Sequence, residues 1–339
     1  MQNISILTDF HRGSYAIIGQ RLERILSKFC SVNHRVTPQN EIEREVANQE
    51  LKKSIIIHNT LGDGFVPLKN CYNIALPFHE WSQFPTAWIE RLNQFDEVWT
   101  TTDHVKDLLQ NCGLNVTCER LPPALDDERI PLKENWSCSD KTRFLAIGEP
   151  HFRKGHHFLI HGFIKAFPQT GQAQLTIKTS PSCLWESPRD DIVLIKDEWS
   201  REKLLAEYTM HDCLVSASLG EGLGLPIAEA IMAELPVCTN FWGGHKSLLT
   251  SGGFHEIPHE EIIQPFTSDP AFYAEDQRCA YSSPSNISKS LEKFIKTKES
   301  DREEMVKAAK KFFLQNYGSK VTLRNIKKRL KEIKLSQML

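Results

Sequence analysis

Short apolar runs closed by turn residues alternate with amphipathic stretches along the whole chain. That alternation predicts strands and helices in turn, the pattern of an α/β protein. Residues 3–7 (NISIL) read as a first strand and 8–14 as a loop. Residues 15–30 then read as a helix with Ile17, Ile18, Leu22, Ile25 and Leu26 on its apolar face. Further strands are predicted at 54–57, 73–76 and 97–101, with helices at 86–94 and 103–112, the last ended by Gly113. Residues 121–141 carry three prolines and a run of charge without periodicity, and read as a linker. A second series follows, with strands at 143–147, 175–178, 192–195, 213–216 and 237–239 and helices at 156–167, 200–210 and 226–234. Strand–helix alternation at this spacing predicts a parallel, doubly wound sheet in each half. Late helices are expected at 288–298, 301–315 and 320–333.

Composition changes this picture little. A chain of 339 residues suggests two domains, and a net charge of −2 demands neither nucleic acid nor an anionic membrane. Nine cysteines are scattered without a CxxC pair, which argues against a disulfide framework and a zinc site and points to a reducing compartment. No signal-like segment and no long apolar run is present, so a cytoplasmic protein is expected. From residue 301 to 339 there are 11 Lys+Arg and 4 Asp+Glu. A basic amphipathic helix can lie on a membrane surface. With the basic residues spread around the helix, a solvated face is the favoured reading and peripheral membrane contact the alternative.

The candidate chemistry centres on residues 219–236, LGEGLGLPIAEAIMAELP. Glu221 sits in a Gly-rich turn (Gly222, Leu223, Gly224, Leu225), Pro226 stands at a first helical position, and Glu229 follows eight residues after Glu221. Glycines let backbone N–H groups approach a ligand, and a new helix points its positive end at it. That makes an anion site with two carboxylates beside it, suited to phosphate and sugar hydroxyls. Strand ends place other polar residues toward a cleft: the 8–14 loop with Gly13, then His58, then His79-Glu80 flanked by Trp81 and Phe84. A lone histidine is more often structural than catalytic.

The 219–236 stretch resembles the EX7E motif of retaining nucleotide-sugar glycosyltransferases with the GT-B fold, of the large family 4 type. Arg153-Lys154-Gly155 followed by a helix is similar to that family's RKG segment. Glu80 with Pro85, Trp88, Asn93 and Asp96-Glu97-Val98-Trp99 is similar to the segment in which an acid precedes a strand closing the first domain. Residues 121–126 (LPPALD) sit where these enzymes end that domain. The resemblance covers most of the chain, strongest from 141 to 245 and weakest before 70. It implies two Rossmann-like, doubly wound domains facing a central cleft. Residues 1–135 would form the acceptor side and 140–318 the donor side, with a C-terminal helix at about 320–339 packing back on the first.

Roles follow position by position. Lys154 and Arg153 would neutralise a departing diphosphate, together with the backbone of 222–226 and the helix dipole. Glu229 would hold the ribose hydroxyls and Glu221 the donor sugar. Ile195 and Lys196 would meet the nucleobase, and Lys178 and Gly13 complete the donor-binding set. Glu221, Glu80 and His79 join Lys154 as catalytic candidates. Carboxylates can stabilise an oxocarbenium-like carbon or orient hydroxyls, and preorganised donors can stabilise the leaving oxygen without a metal. No cofactor or metal is expected, because no Asp-x-Asp pair stands in the relevant loop. One departure is plain: the family has Gly-Arg after the first strand of the second domain, and this chain has Gly148-Glu149.

The implied activity is transfer of a hexose-type sugar from a nucleotide-diphosphate sugar to a hydroxyl acceptor. The alternatives are a nucleotide-sugar-binding protein with impaired catalysis, motivated by Glu149, and a GT-B-type nucleotide-sugar epimerase. Residues 1–135 carry 14 Lys+Arg against 18 Asp+Glu, which leans against nucleic acid as acceptor. Glycan, lipid-linked sugar, protein side chain and small molecule stay open.

Overall fold

The computed structural model describes residues 3–9, 13–126, 128–137, 141–250, 252–265 and 273–336. The chain divides into two compact units: Met1–Asp127 with Gln264–Gln277 and Gln315–Leu339, and Glu128–Ile263 with Arg278–Leu314.

The first unit contains β1 (Asn3–Thr8), α1 (Gly13–Leu26), β2 (Ser31–Val36), α2 (Glu41–Glu50), β3 (Ile55–Asn59), β4 (Tyr72–Ala75), α3 (Thr86–Leu92), β5 (Glu97–Thr100), α4 (Asp103–Asn111) and β6 (Thr117–Arg120). Its strands form one parallel sheet in the order β2-β1-β3-β4-β5-β6. Ile55, Ile56 and Ile57 are buried in β3, as expected of a strand covered on both faces. The helix expected over 15–30 stops at Leu26: residues 27–30 tighten into a turn, with Lys28 donating to the Ile25 carbonyl at 3.3 Å and Phe29 to the Leu26 carbonyl at 3.0 Å, and β2 starts at Ser31. β2 and α2 had no sequence-level prediction. β2 is an edge strand whose residues are exposed or half-buried, and α2 buries only Ala47 and Asn48, so neither carries an apolar period. The Asn40 side chain caps α2 by accepting the Glu43 N–H at 2.9 Å.

The second unit contains β7 (Thr142–Ile147), α5 (His156–Ala166), β8 (Ala173–Lys178), β9 (Ile192–Ile195), α6 (Arg201–Glu207), β10 (Cys213–Ser216), α7 (Leu225–Met232), β11 (Val237–Thr239), β12 (His255–Glu256), the antiparallel pair β13 (Glu260–Ile263) and β14 (Arg278–Tyr281), and α8 (Pro284–Lys296). Its main sheet is parallel in the order β12-β11-β10-β7-β8-β9. Phe144, Phe163, Phe167 and Phe294 pack β7, α5 and α8 into one core with ring centroids 5.1–6.3 Å apart. The region read as a linker is, over residues 128–137, part of this unit. Lys133 is buried and donates to the His211 carbonyl at 2.8 Å, and the Trp136 indole donates to the Glu234 carbonyl at 2.8 Å. Residues 127 and 138–140 of that region lie outside the described residues.

α9 (Glu299–Tyr317) and α10 (Ser319–Ser336) close the chain. α10 belongs to the first unit. The Arg329 guanidinium bonds both oxygens of the buried Glu97 carboxylate at 2.8 Å, and the Ser319 N–H donates to Asp126. No helix among the described residues is long and apolar enough to cross a membrane.

Candidate functional site

β7 is the strand from which the second unit winds both ways, to β8 on one side and to β10 on the other. Loops leaving the carboxyl ends of two such strands border the crevice where open α/β sheets bind ligands. Here these are residues 148–155 after β7 and 217–224 after β10. Leu219 donates its N–H to the Arg153 carbonyl at 2.7 Å and ties the loops together. Their approach requires Gly155, whose φ is +65° and where a Cβ would lie 2.1 Å from the Ala217 carbonyl oxygen.

Three predicted residues meet at this crevice. The Glu221 carboxylate, buried with 12% of its side chain exposed, accepts from the Lys154 ammonium at 2.7 Å and from the Arg153 guanidinium at 3.2 Å. Arg153 also donates to the Gly220 carbonyl at 2.7 Å. Burial pushes the Glu221 carboxyl up, but the charges of Lys154 and Arg153 outweigh it and hold it down at about 2. Gly224, at φ +84°, turns the chain into α7, whose positive end opens here with Pro226 in its first turn. His245 is wholly buried beside this turn and bonds Asn240, while burial lowers its imidazole. Gly222, Leu223 and Leu225 are buried around it.

Glu229 lies within α7, one to two turns beyond the loop. Its carboxylate is buried and accepts from the Tyr208 hydroxyl at 2.7 Å and from Arg201 at 2.5 Å. Arg201 also bonds Glu128 at 2.8 and 3.0 Å. Burial works against the Arg201 charge, and the two carboxylates outweigh it and raise its pKa. Two of roughly four lone-pair sites of Glu229 are therefore used inside the protein.

Lys178 ends β8 and Ile195 ends β9, followed by Lys196. The Lys178 ammonium lies 5.4 Å from the centre of the Trp199 ring. Burial lowers its pKa against the opposing fields of Glu149, Asp197 and Glu198. Glu149 is exposed. The Ile195 carbonyl accepts the Thr179 N–H at 2.9 Å, and Lys196 pairs with Glu186 at 3.3 Å.

The remaining candidates belong to the first unit. His58 does not follow its strand; it lies inside β3, buried, bonded to Asn73 at 3.0 Å with its ring edge on Phe95, and burial lowers it to about 4. With a partner and a packed ring it is a core residue. His79 is buried, stacks on Phe84 at 4.4 Å and bonds the Gln83 carbonyl, while Glu80 is half-buried beside it. Gly13 opens α1 at φ +82°. Phe10, His11 and Arg12 of the same loop lie outside the described residues. The carboxyl ends of β1, β2 and β3 enclose a cavity of about 330 Å³ lined by Asp9, Thr37, Gln39, Arg44 and Asp63, with Asp9 bonded to Thr60.

No protein-family model and no curated protein matches this chain. Solved structures do. A glycosyltransferase from Rickettsia africae superposes with a TM-score of 0.68 at 14% identity, over 98% of each chain. An E. coli trehalose-6-phosphate structure bound with UDP-2-fluoro glucose gives 0.68 at 9% identity, over 97% of this chain and 99% of the other. A point mutant of S. aureus TarM, in complex with Fondaparinux, alpha-GlcNAc-glycerol and UDP, gives 0.62 at 12% identity, over 83% of this chain. This chain spans 56% of the length of that TarM chain.

The fold is GT-B.

Within this GT-B chain the sequence pointed to Glu221, Lys154 and Arg153, and they lie in direct contact. It passed over Arg201, Tyr208 and Glu128, which surround Glu229. Arg201 follows a Ser200 cap and reads as an ordinary first-turn residue. Only the packing of α6 on α7 reveals its partner.

Proposed function

We propose that this protein is a glycosyltransferase that moves a hexose-type sugar from a nucleotide-diphosphate sugar to a hydroxyl acceptor, with retention at the anomeric carbon. One observation carries the reading: two cations and a carboxylate, Lys154, Arg153 and Glu221, meet at the start of α7 at the sheet's switch point. Of the solved GT-B structures that resemble the chain, one is bound with UDP-2-fluoro glucose and one holds UDP, which supports a donor of the nucleotide-sugar class. The sequence resemblance to the EX7E enzymes of family 4 supports retention.

In this reading the bond from the anomeric carbon to the phosphate oxygen breaks, the acceptor hydroxyl oxygen bonds that carbon on the same face, and the hydroxyl proton passes to the departing diphosphate. Lys154, Arg153 and the positive end of α7 stabilise the charge that grows on the leaving diphosphate, so no metal is required. Glu221 orients sugar hydroxyls or stabilises the positive carbon. Glu229, fixed by Arg201 and Tyr208, offers its remaining lone pairs to the ribose. Lys178, Ile195 and Lys196 border the base. Glu80, half-buried, belongs to the acceptor-side domain in this scheme, whereas His79, buried against Phe84 and bonded to the Gln83 carbonyl, is a core residue like His58; the protein works in the cytoplasm. Arg153 takes the place of the arginine that Glu149 replaces.

A thermal-shift screen of nucleotide sugars tests the proposal, since a ligand that binds only the folded state stabilises it by mass action. At least one donor should raise the melting temperature, and the matching nucleoside monophosphate should raise it less. If no nucleoside diphosphate or nucleotide sugar shifts the transition, the site is not a donor site.

A further inference from the structure

α10 presents a one-sided basic surface. Lys320, Arg324, Lys327, Lys328, Lys331 and Lys334 are all exposed, whereas Thr322, Ile326, Leu330 and Ile333 are buried against the first unit. At 3.6 residues per turn the six cations fall within an arc of about 120° and run about 20 Å along the helix. The reading that these residues are spread around the helix therefore fails for the exposed ones. The helix has one acid, Glu332, which pairs with Arg329 at 2.9 Å and lies 3.9 Å from the Lys328 ammonium, leaving the stripe in excess positive charge. Over residues 1–127 and 264–277 acids outnumber bases 19 to 12, while residues 315–339 carry seven bases and one acid. The first unit is thus an acidic body with one basic flank.

We infer that this flank docks the protein on an anionic lipid bilayer, with α10 lying at the headgroup level. Five of the six exposed cations are lysines. The lysine ammonium suits diffuse attraction to a charged surface, whereas nucleic-acid recognition favours the arginine fork. The exposed face of α10 carries no aromatic of its own, and the one ring recorded against it, the half-buried Phe29, is covered by the Lys327 ammonium at 5.1 Å rather than open to stack on a base. The apolar side of α10 is used inside the unit, so the contact is electrostatic, without insertion, and salt-sensitive. An acidic remainder turns the basic flank toward a negative surface and keeps other faces off it.

The test is co-sedimentation of the full chain with vesicles of phosphatidylcholine alone and of an equal mixture with phosphatidylglycerol. Binding to the mixed vesicles only, abolished by near-molar salt, is expected. Each lysine near an anionic surface is worth about fivefold in partitioning, so the triple variant Lys328→Gln, Lys331→Gln, Lys334→Gln should bind about a hundredfold more weakly. The matching Lys→Arg triple should bind as the parent does. Glutamine keeps helix propensity, and far-UV circular dichroism checks that α10 survives. Should the triple lose helix, Lys331→Gln alone must still lose about fivefold. Equal binding to both vesicle types, no binding, an unaffected glutamine triple, or preferential capture of duplex DNA would each overturn the inference.

Discussion

Replacing Glu221 by glutamine separates two roles of one site. The carboxylate lies 2.7 Å from the Lys154 ammonium, and a unit-charge pair at that distance is worth about 6 kcal/mol at an effective dielectric constant of 20. Burial opposes this. The net is read from the carboxyl itself, which falls from 4.5 to about 2, a preference of about 3 kcal/mol for the ionised form beside its cations. A diphosphate entering the site competes with that carboxylate for Lys154 and Arg153. Glutamine keeps the shape and one acceptor but removes the charge, so the competition largely disappears. Affinity for UDP, measured by isothermal titration calorimetry, should therefore rise about ten- to a hundredfold, with about 3 kcal/mol as the ceiling. Turnover should fall in the same variant, because the developing positive charge on the sugar loses its carboxylate. If UDP binds no more tightly to Glu221→Gln than to the parent, the cations are not held by this carboxylate in the way described.

Other outcomes follow from the same geometry. Arg201→Ala leaves the buried Glu229 with Tyr208 only, and loss of one partner of a buried pair costs about 3–5 kcal/mol. The denaturation midpoint should drop and donor KM should rise, with Arg201→Lys in between; an unchanged midpoint would remove Arg201 from the account. Stability should also fall as pH drops from 6.5 toward 4. Burial holds His58, His156 and His255 near 4, so the unfolded chain takes up protons there that the folded chain does not. Each contributes about 3 kcal/mol above pH 6.5. The depressed Glu221 carboxyl adds a further loss between its unfolded value and about pH 2. A flat urea midpoint between pH 7 and 4.5 would contradict the burial of these imidazoles. Phe163→Ala, in the core under β7, should cost about 3–5 kcal/mol, read from the same urea titrations.

The fold was legible where burial forces a period on the chain. The isoleucines of β3, the apolar face of α1 and the Gly-Pro entry to α7 each declare their element. β2 and α2 were not, because an edge strand and a solvated helix need no apolar period; their order comes from pairing with β1 and from the Asn40 cap. The β13–β14 pair was missed likewise, its first strand being largely exposed. His58 was misplaced because strand length is set by tertiary partners, and pairing of His58 with Leu7 of β1 and Ala75 of β4 carries β3 through it. In the site, the Gly-rich turn and the RKG segment stand out locally, so Glu221, Lys154 and Arg153 could be named in advance. The partners of Glu229 could not, since Arg201 and Tyr208 lie 28 and 21 residues before it and Glu128 lies farther still. The basic arc of α10 was hidden because composition does not say which face is packed.

The central claim is that Lys154 stabilises a departing nucleoside diphosphate. The most direct measurement is nucleoside diphosphate release from a stabilising nucleotide sugar, followed for the parent and for Lys154→Ala at saturating donor. Removing a preorganised stabiliser of the leaving charge should slow release about a hundred- to a thousandfold. Release at the same rate in both proteins would contradict the account.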